Sequence, residues 1–174
     1  MAPNPLHALV LLPLYFKRPD IFDPAALVIS ATVVDLEVVY AYIMGYPSPH
    51  LALHSFFAVL TIYPVVTSLV THVLERKMAR RIGWIYRKLR WEERVVYPFR
   101  TIFACSVLGG FSHMLIDVWT HPVSPFIFWP FACFPSNPLY LGAWSVAIDA
   151  VVVLLGAYAL YLWRQRWKQA PKAV

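Results

Sequence analysis

Two long stretches of this 174-residue chain, 19–75 and 101–163, contain no lysine or arginine, although the sequence carries fifteen of them. Charged residues make up only 14% of the whole and hydrophobic residues 60%, with a mean hydropathy of +0.59. So little charge excludes an ordinary soluble domain. Cysteine is scarce as well. Cys105 and Cys133 form no CxxC pair and lie at different depths on the topology below, which predicts neither a disulfide nor a thiolate metal site. There is no P-loop, no GxGxxG, no GxSxG and no internal repeat, so the usual signatures of nucleotide-cradling loops and serine nucleophiles are missing.

The basic residues fall in three places: Lys17–Arg18, Arg76 to Arg100, and Arg164 to Lys172. Each intervening gap is long enough for two crossings of a hydrocarbon core that takes about 20 helical residues. With all basic clusters on the cytoplasmic face, the chain reads as one all-α integral membrane domain over 1–174, with about four transmembrane helices and both termini in the cytoplasm. A net charge of +6 is thereby explained by topology and anionic lipid better than by nucleic acid. The first twenty residues lack a positively charged start and a small-residue cleavage site, so they are expected to remain in the mature protein. Their apolar part, Pro5 to Phe16, is too short to span and predicts a re-entrant or half-buried helix carrying His7.

Four spans are expected, over 24–44, 49–74, 98–119 and 139–163. Asp23 and Pro24 supply a cap and first turn for the first, and Ser48 and Pro49 for the second. Pro64 should bend the second near its midpoint. Residues 75–97 read as a basic cytoplasmic loop, amphipathic and lying on the leaflet. Residues 121–138 read as an outer loop, where prolines exclude a regular helix and phenylalanine and tryptophan favour the headgroup region.

The stretch Gly109–His121, GGFSHMLIDVWTH, carries the chemistry. On a helix, steps of four residues place His113, Asp117 and His121 on one stripe, three potential metal ligands facing one way at the end of an apolar run. Asp35 and Glu37 sit in the first span about 200° apart on a regular helix, so only one can face a given ion. Asp35 is the expected ligand; Glu37 is left to pair elsewhere, to join the site through a local distortion or to act as a base. His50 and His54 stand four apart at the outer end of the second span, with Thr61, Ser68 and His72 continuing a polar seam below. His50 is divided evenly between ligand and solvated helix start, and His72 is expected at the interface. At 1.5 Å per residue, Asp35 comes to a depth of roughly 17 Å, His113 to roughly 22 Å and Asp149 to roughly 21 Å. His7, Asp35, His54, His113, Asp117 and Asp149 therefore share the outer half. Carboxylate with imidazole and no thiolate suits Zn²⁺, Mn²⁺ or Fe²⁺, and so many ligands could hold one or two ions.

In order, an early histidine in PLHALVLLPL, the acidic ALVISATVVDLE, the pair in HLALHS and the segment GFSHMLIDVWTHPVSPFIFWPF resemble the bacterial and archaeal membrane-bound metal-dependent hydrolases. One branch of these is known as LexA-binding inner-membrane hydrolases. More distantly the pattern is similar to zinc-dependent phospholipase C and P1-type nucleases, where a helical HxxxD pair and further His and Asp residues bind a metal cluster. The resemblance implies His7, Asp35, His54, His113 and Asp117 as metal ligands, with His121 beside them. Where that family often has Pro-Asp, this chain has Val34–Asp35.

The leading expectation is a metal-dependent phosphoesterase of the inner membrane, acting on a phospholipid or another lipid-linked phosphate at the outer leaflet, with Glu37 or His121 as proton shuttle. The alternative is a metal-ion or proton transporter using the same seam. A third reading is a scaffold clamped by its metal.

Overall fold

The structure, a computed structural model, describes residues 5–91 and 94–169, and among them there is no strand. A 3-10 turn, Pro5–Leu9, leads into the short helix α1, Leu12–Lys17. Helices α2, Pro24–Val33, and α3, Asp35–Ile43, follow almost in line. Next come α4, Phe56–Leu60, α5, Ile62–Lys88, α6, Phe99–Thr120, and α7, Ser145–Gln169.

Three helical segments are long and apolar enough to cross a membrane: Pro24–Ile43, Phe99–Thr120 and Gly142–Lys168. They coincide with the expected first, third and fourth spans. The Asp23 carboxylate accepts the Ala25 N–H at 2.9 Å, and Pro24 opens α2 where its missing N–H costs nothing. Near the end of α2 the Ser30 and Thr32 hydroxyls donate back to the carbonyls of Ala26 and Val28, a bond that loosens the helical ladder. The ladder breaks at Val34 and restarts at Asp35.

The second expected span departs from the reading. Residues 49–55 are not helical, and the cap is Ser55 instead of Ser48, its hydroxyl accepting the Ala58 N–H at 3.2 Å. The helix breaks again at Thr61, close before Pro64, which has no N–H to offer the carbonyl four residues back. Beyond Leu74 the chain does not become a loop. α5 runs on to Lys88 through a kink at Met78 (φ −114°, ψ 16°), so much of the basic 75–97 stretch is helical. Within 121–138 the described backbone forms turns and bends only, as its prolines require.

α2 packs chiefly on α6, and α5 lies against both. The closeness depends on Gly109, where a Cβ would collide with the Ser30 hydroxyl and the Leu27 carbonyl. Gly109→Ala is therefore expected to force the helices apart at a cost of about 1–3 kcal/mol. A lower midpoint of thermal unfolding in detergent would register this, whereas Gly156→Ala, with open space around it, should leave the midpoint unchanged.

Two apolar clusters flank the interior. One joins Leu12, Tyr15, Phe16, Leu27, Tyr97 and Ile102, and the other joins Val34, Val59, Tyr63, Met114, Val118 and Ile127. α7 closes the first: the Trp163 indole donates to the Leu89 carbonyl at 2.6 Å and the Arg166 guanidinium to the Phe16 carbonyl at 2.7 Å.

Candidate metal centre

The centre is assembled on the last two turns of α6. His113 and Asp117 lie side by side, Nε2 to Oδ2 3.1 Å. His121 stands just past the helix in extended backbone (φ −107°, ψ 120°), yet its Nδ1 is 3.4 Å from Asp117 Oδ1, so the stripe survives the helix end. The 3-10 turn brings His7 Nδ1 to 3.7 Å from Asp117 Oδ1 and 3.2 Å from His113 Nδ1. His54 Nε2 lies 2.7 Å from Asp117 Oδ2, and Asp35 Oδ1 lies 3.5 Å from His113 Nε2. The helix break at Val34 is what starts α3 on Asp35. The five expected ligands, His7, Asp35, His54, His113 and Asp117, are thus brought together with His121, whereas Asp149, expected at the same depth, is exposed on α7.

His50, which the sequence left undecided, joins them from the non-helical 49–55 segment, its ring 4.2 Å from His54 and 5.2 Å from His121. The ligand atoms of His7, His113 and Asp117 fall within 4.8 Å of one another, as do those of His50, Asp117 and His121. Asp117 belongs to both sets.

The hydrogen bonds of His113 test whether a cation fits. Its Nδ1–H donates to the Ala31 carbonyl at 2.7 Å, which commits that nitrogen and leaves Nε2 facing two carboxylates without a hydrogen bond. A backbone carbonyl on the far nitrogen is the usual support for a metal-binding imidazole. Both His50 nitrogens and His54 Nδ1 are also buried without partners. Burial, with His113 adding to it, pushes His7 down to about 4, so its imidazole is neutral and its lone pair free for a metal. The residues fit a metal ion held by imidazole and carboxylate.

Glu37 faces another task. Its carboxylate accepts the N–H groups of Leu51 and Leu53, at 3.2 and 2.8 Å, and so holds the segment carrying His50 and His54. Asp149 is exposed on α7, close enough for its charge to act on His121. His72 packs edge-on against Phe99 at the opposite end of α6. Thr61 is exposed, which removes it from the expected seam; the buried polar residues of α5 are Thr67, Ser68, Thr71 and Glu75. Asn137 had no sequence signal. Its amide donates to the Val118 and His121 carbonyls, both at 2.7 Å, and ties the end of α6 to the 121–138 segment.

Fold and site together define a helical protein in which three of the described helices are long and apolar enough to cross a membrane and a histidine–carboxylate cluster is buried. The chain belongs to the family described as a domain of unknown function, DUF4184, whose profile matches residues 4–174. No curated protein and no solved structure matches the chain.

Proposed function

We propose that this protein is a membrane-embedded, metal-dependent phosphoesterase, acting on a phospholipid or another lipid-linked phosphate at the outer leaflet of the inner membrane. The observation that carries the reading is Asp117, set between His7 and His113 on one side and His50 and His121 on the other. Divalent ions held there, zinc or else manganese or iron, would supply Lewis acidity toward a phosphoryl oxygen and an acidified water.

The chain's own residues supply the rest. His7, His54, His113 and Asp117 are all at most 4% exposed, whereas His121 is 22% exposed and is the member of the stripe open to an incoming group. That position suits it both as a ligand and as the group that passes a proton to a leaving oxygen. Glu37 is better placed to position the His50–His54 segment than to act as a base. The segment 121–138 covers the centre, tied down by Asn137 and by the Phe56 N–H to Ile127 carbonyl bond at 3.0 Å. The direct test is release of phosphate or phosphorylated headgroup from detergent-solubilised lipid by purified protein, with and without chelator. Metal-independent release, or none with any lipid phosphate, would overturn the reading.

The transporter reading keeps one observation in its favour: Ser30, Thr67, Ser68, Thr71 and Ser106 are buried on the helices below the centre. Topology can be tested without mutation, because Cys133 is exposed and Cys105 is buried. With the basic clusters inside, Cys133 should react with an impermeant maleimide on intact cells. Reaction only after permeabilisation would reverse the orientation.

A further inference from the structure

At the other end of α2 a second pair of acids is buried. Asp23, ahead of α2, and Glu75, on α5, both have no solvent exposure, and they are neighbours: Glu75 lines one groove with Pro24 and Ala25, and each carboxyl group acts on the other. Each has one oxygen committed to the backbone. Asp23 Oδ1 caps Ala25, and Glu75 Oε2 accepts the Tyr97 N–H at 2.9 Å. The remaining oxygens, Asp23 Oδ2 and Glu75 Oε1, have no other donor. Two facing carboxylates without a donor between them cannot both stay charged in a buried site.

A groove of about 360 Å³ between α2 and α5 reaches Glu75 and Pro24, the residue after Asp23, and is lined also by Val28, Thr71, Met78 and Tyr86. The hydroxyls of Thr71 and Tyr86 are buried in its wall and lack partners, and the Tyr86 hydroxyl feels the charge of both acids. We propose that Asp23 and Glu75 form a second ionisable centre, separate from the histidine cluster, which binds one proton between its two carboxyl groups and exchanges it through this groove. Only an O–H bond forms and breaks, and the proton comes from and returns to water.

The surroundings leave the proton to these two groups. On α5, His72 turns to Phe99; on α6, the Cys105 sulfur accepts the Asp23 N–H at 3.3 Å. In the α5–α6 connection, the Tyr97 hydroxyl donates to the Pro19 carbonyl and Arg94 to the Asp20 carbonyl. Tyr15 on α1 packs on Trp91. The Arg94 charge works against protonation, but burial first and the neighbouring Asp23 second raise Glu75 to about 8. The sign follows: the folded state holds the proton more tightly than the unfolded chain, so this pair's contribution to stability falls as pH rises from about 4.5 to about 8. The centre stands whether or not the phosphoesterase reading does, since it shares no residue with it.

Infrared difference spectroscopy of the purified full-length protein tests it through the carbonyl stretch of a protonated carboxyl group. In the wild type a protonated-carboxyl band should be lost with a midpoint near 8. Glu75→Gln should abolish that titration, and Asp23→Asn should lower its midpoint, because the neighbouring negative charge is gone. Should Glu75→Gln not fold, the wild-type titration and Asp23→Asn decide alone. A wild-type spectrum without a titrating band between about pH 6 and pH 10, or a midpoint unmoved by Asp23→Asn, overturns the proposal.

Discussion

Asp117→Ala is expected to strip divalent metal from the purified protein almost completely. Asp117 is common to the His7–His113 and the His50–His121 sets, whereas each of those four histidines belongs to one set only. Its loss opens both at once. Removing a group that merely orients a ligand costs roughly 10–100-fold in affinity, and loss of a shared carboxylate should exceed about 100-fold. His121→Ala removes a ligand from one set only and should retain up to half of the metal. His72→Leu, at the far end of α6, should retain all of it. Elemental analysis of the three variants, each eluting as a single species, measures this directly. Equal loss in Asp117→Ala and His72→Leu, or loss in neither, would remove the assignment.

The second large effect concerns turnover. Asp35→Asn and His113→Ala should each lower chelator-sensitive cleavage of a lipid phosphate by on the order of a thousand-fold, about 4 kcal/mol at the transition state. Asp35 Oδ1 lies 3.5 Å from His113 Nε2, and an asparagine there keeps the shape but removes the charge that a cation would need. His72→Leu should leave turnover within about twofold, a change of under 0.5 kcal/mol in the barrier. The assay also separates enzyme from transporter. The sequence offered Ser68 and His72 as the inner end of an ion path, but the buried acid there is Glu75. If no lipid is cleaved and Glu75→Gln blocks proton or metal flux in proteoliposomes, the transporter reading replaces the enzyme.

Much of this was legible because periodicity and solvation act locally. The distribution of lysine and arginine located the helices Pro24–Ile43, Phe99–Thr120 and Gly142–Lys168, since a charge inside hydrocarbon is costly whatever the fold. The four-residue spacing alone aligned His113, Asp117 and His121, because the helical repeat needs no partner to set it. A common depth was enough to group His7, Asp35 and His54 with them.

What the sequence could not decide was set by contacts between distant segments. The helical pattern carried the second span up to Pro49, but Glu37, fourteen residues before Leu51, takes the N–H groups of the 49–55 segment and holds it open. That unwinding turns His50 toward His121, and it changes Glu37 from a candidate base into a support. Glu75 was written two turns beyond Ser68, seven residues on along the same helix face. The meaning of the acid pair stayed hidden because Asp23 already had a local role as a cap and Glu75 adjoins a basic run. Only the packing of α2 against α5 places the two carboxyl groups together and away from water, where proximity and desolvation outweigh the Arg94 charge and change what they can do.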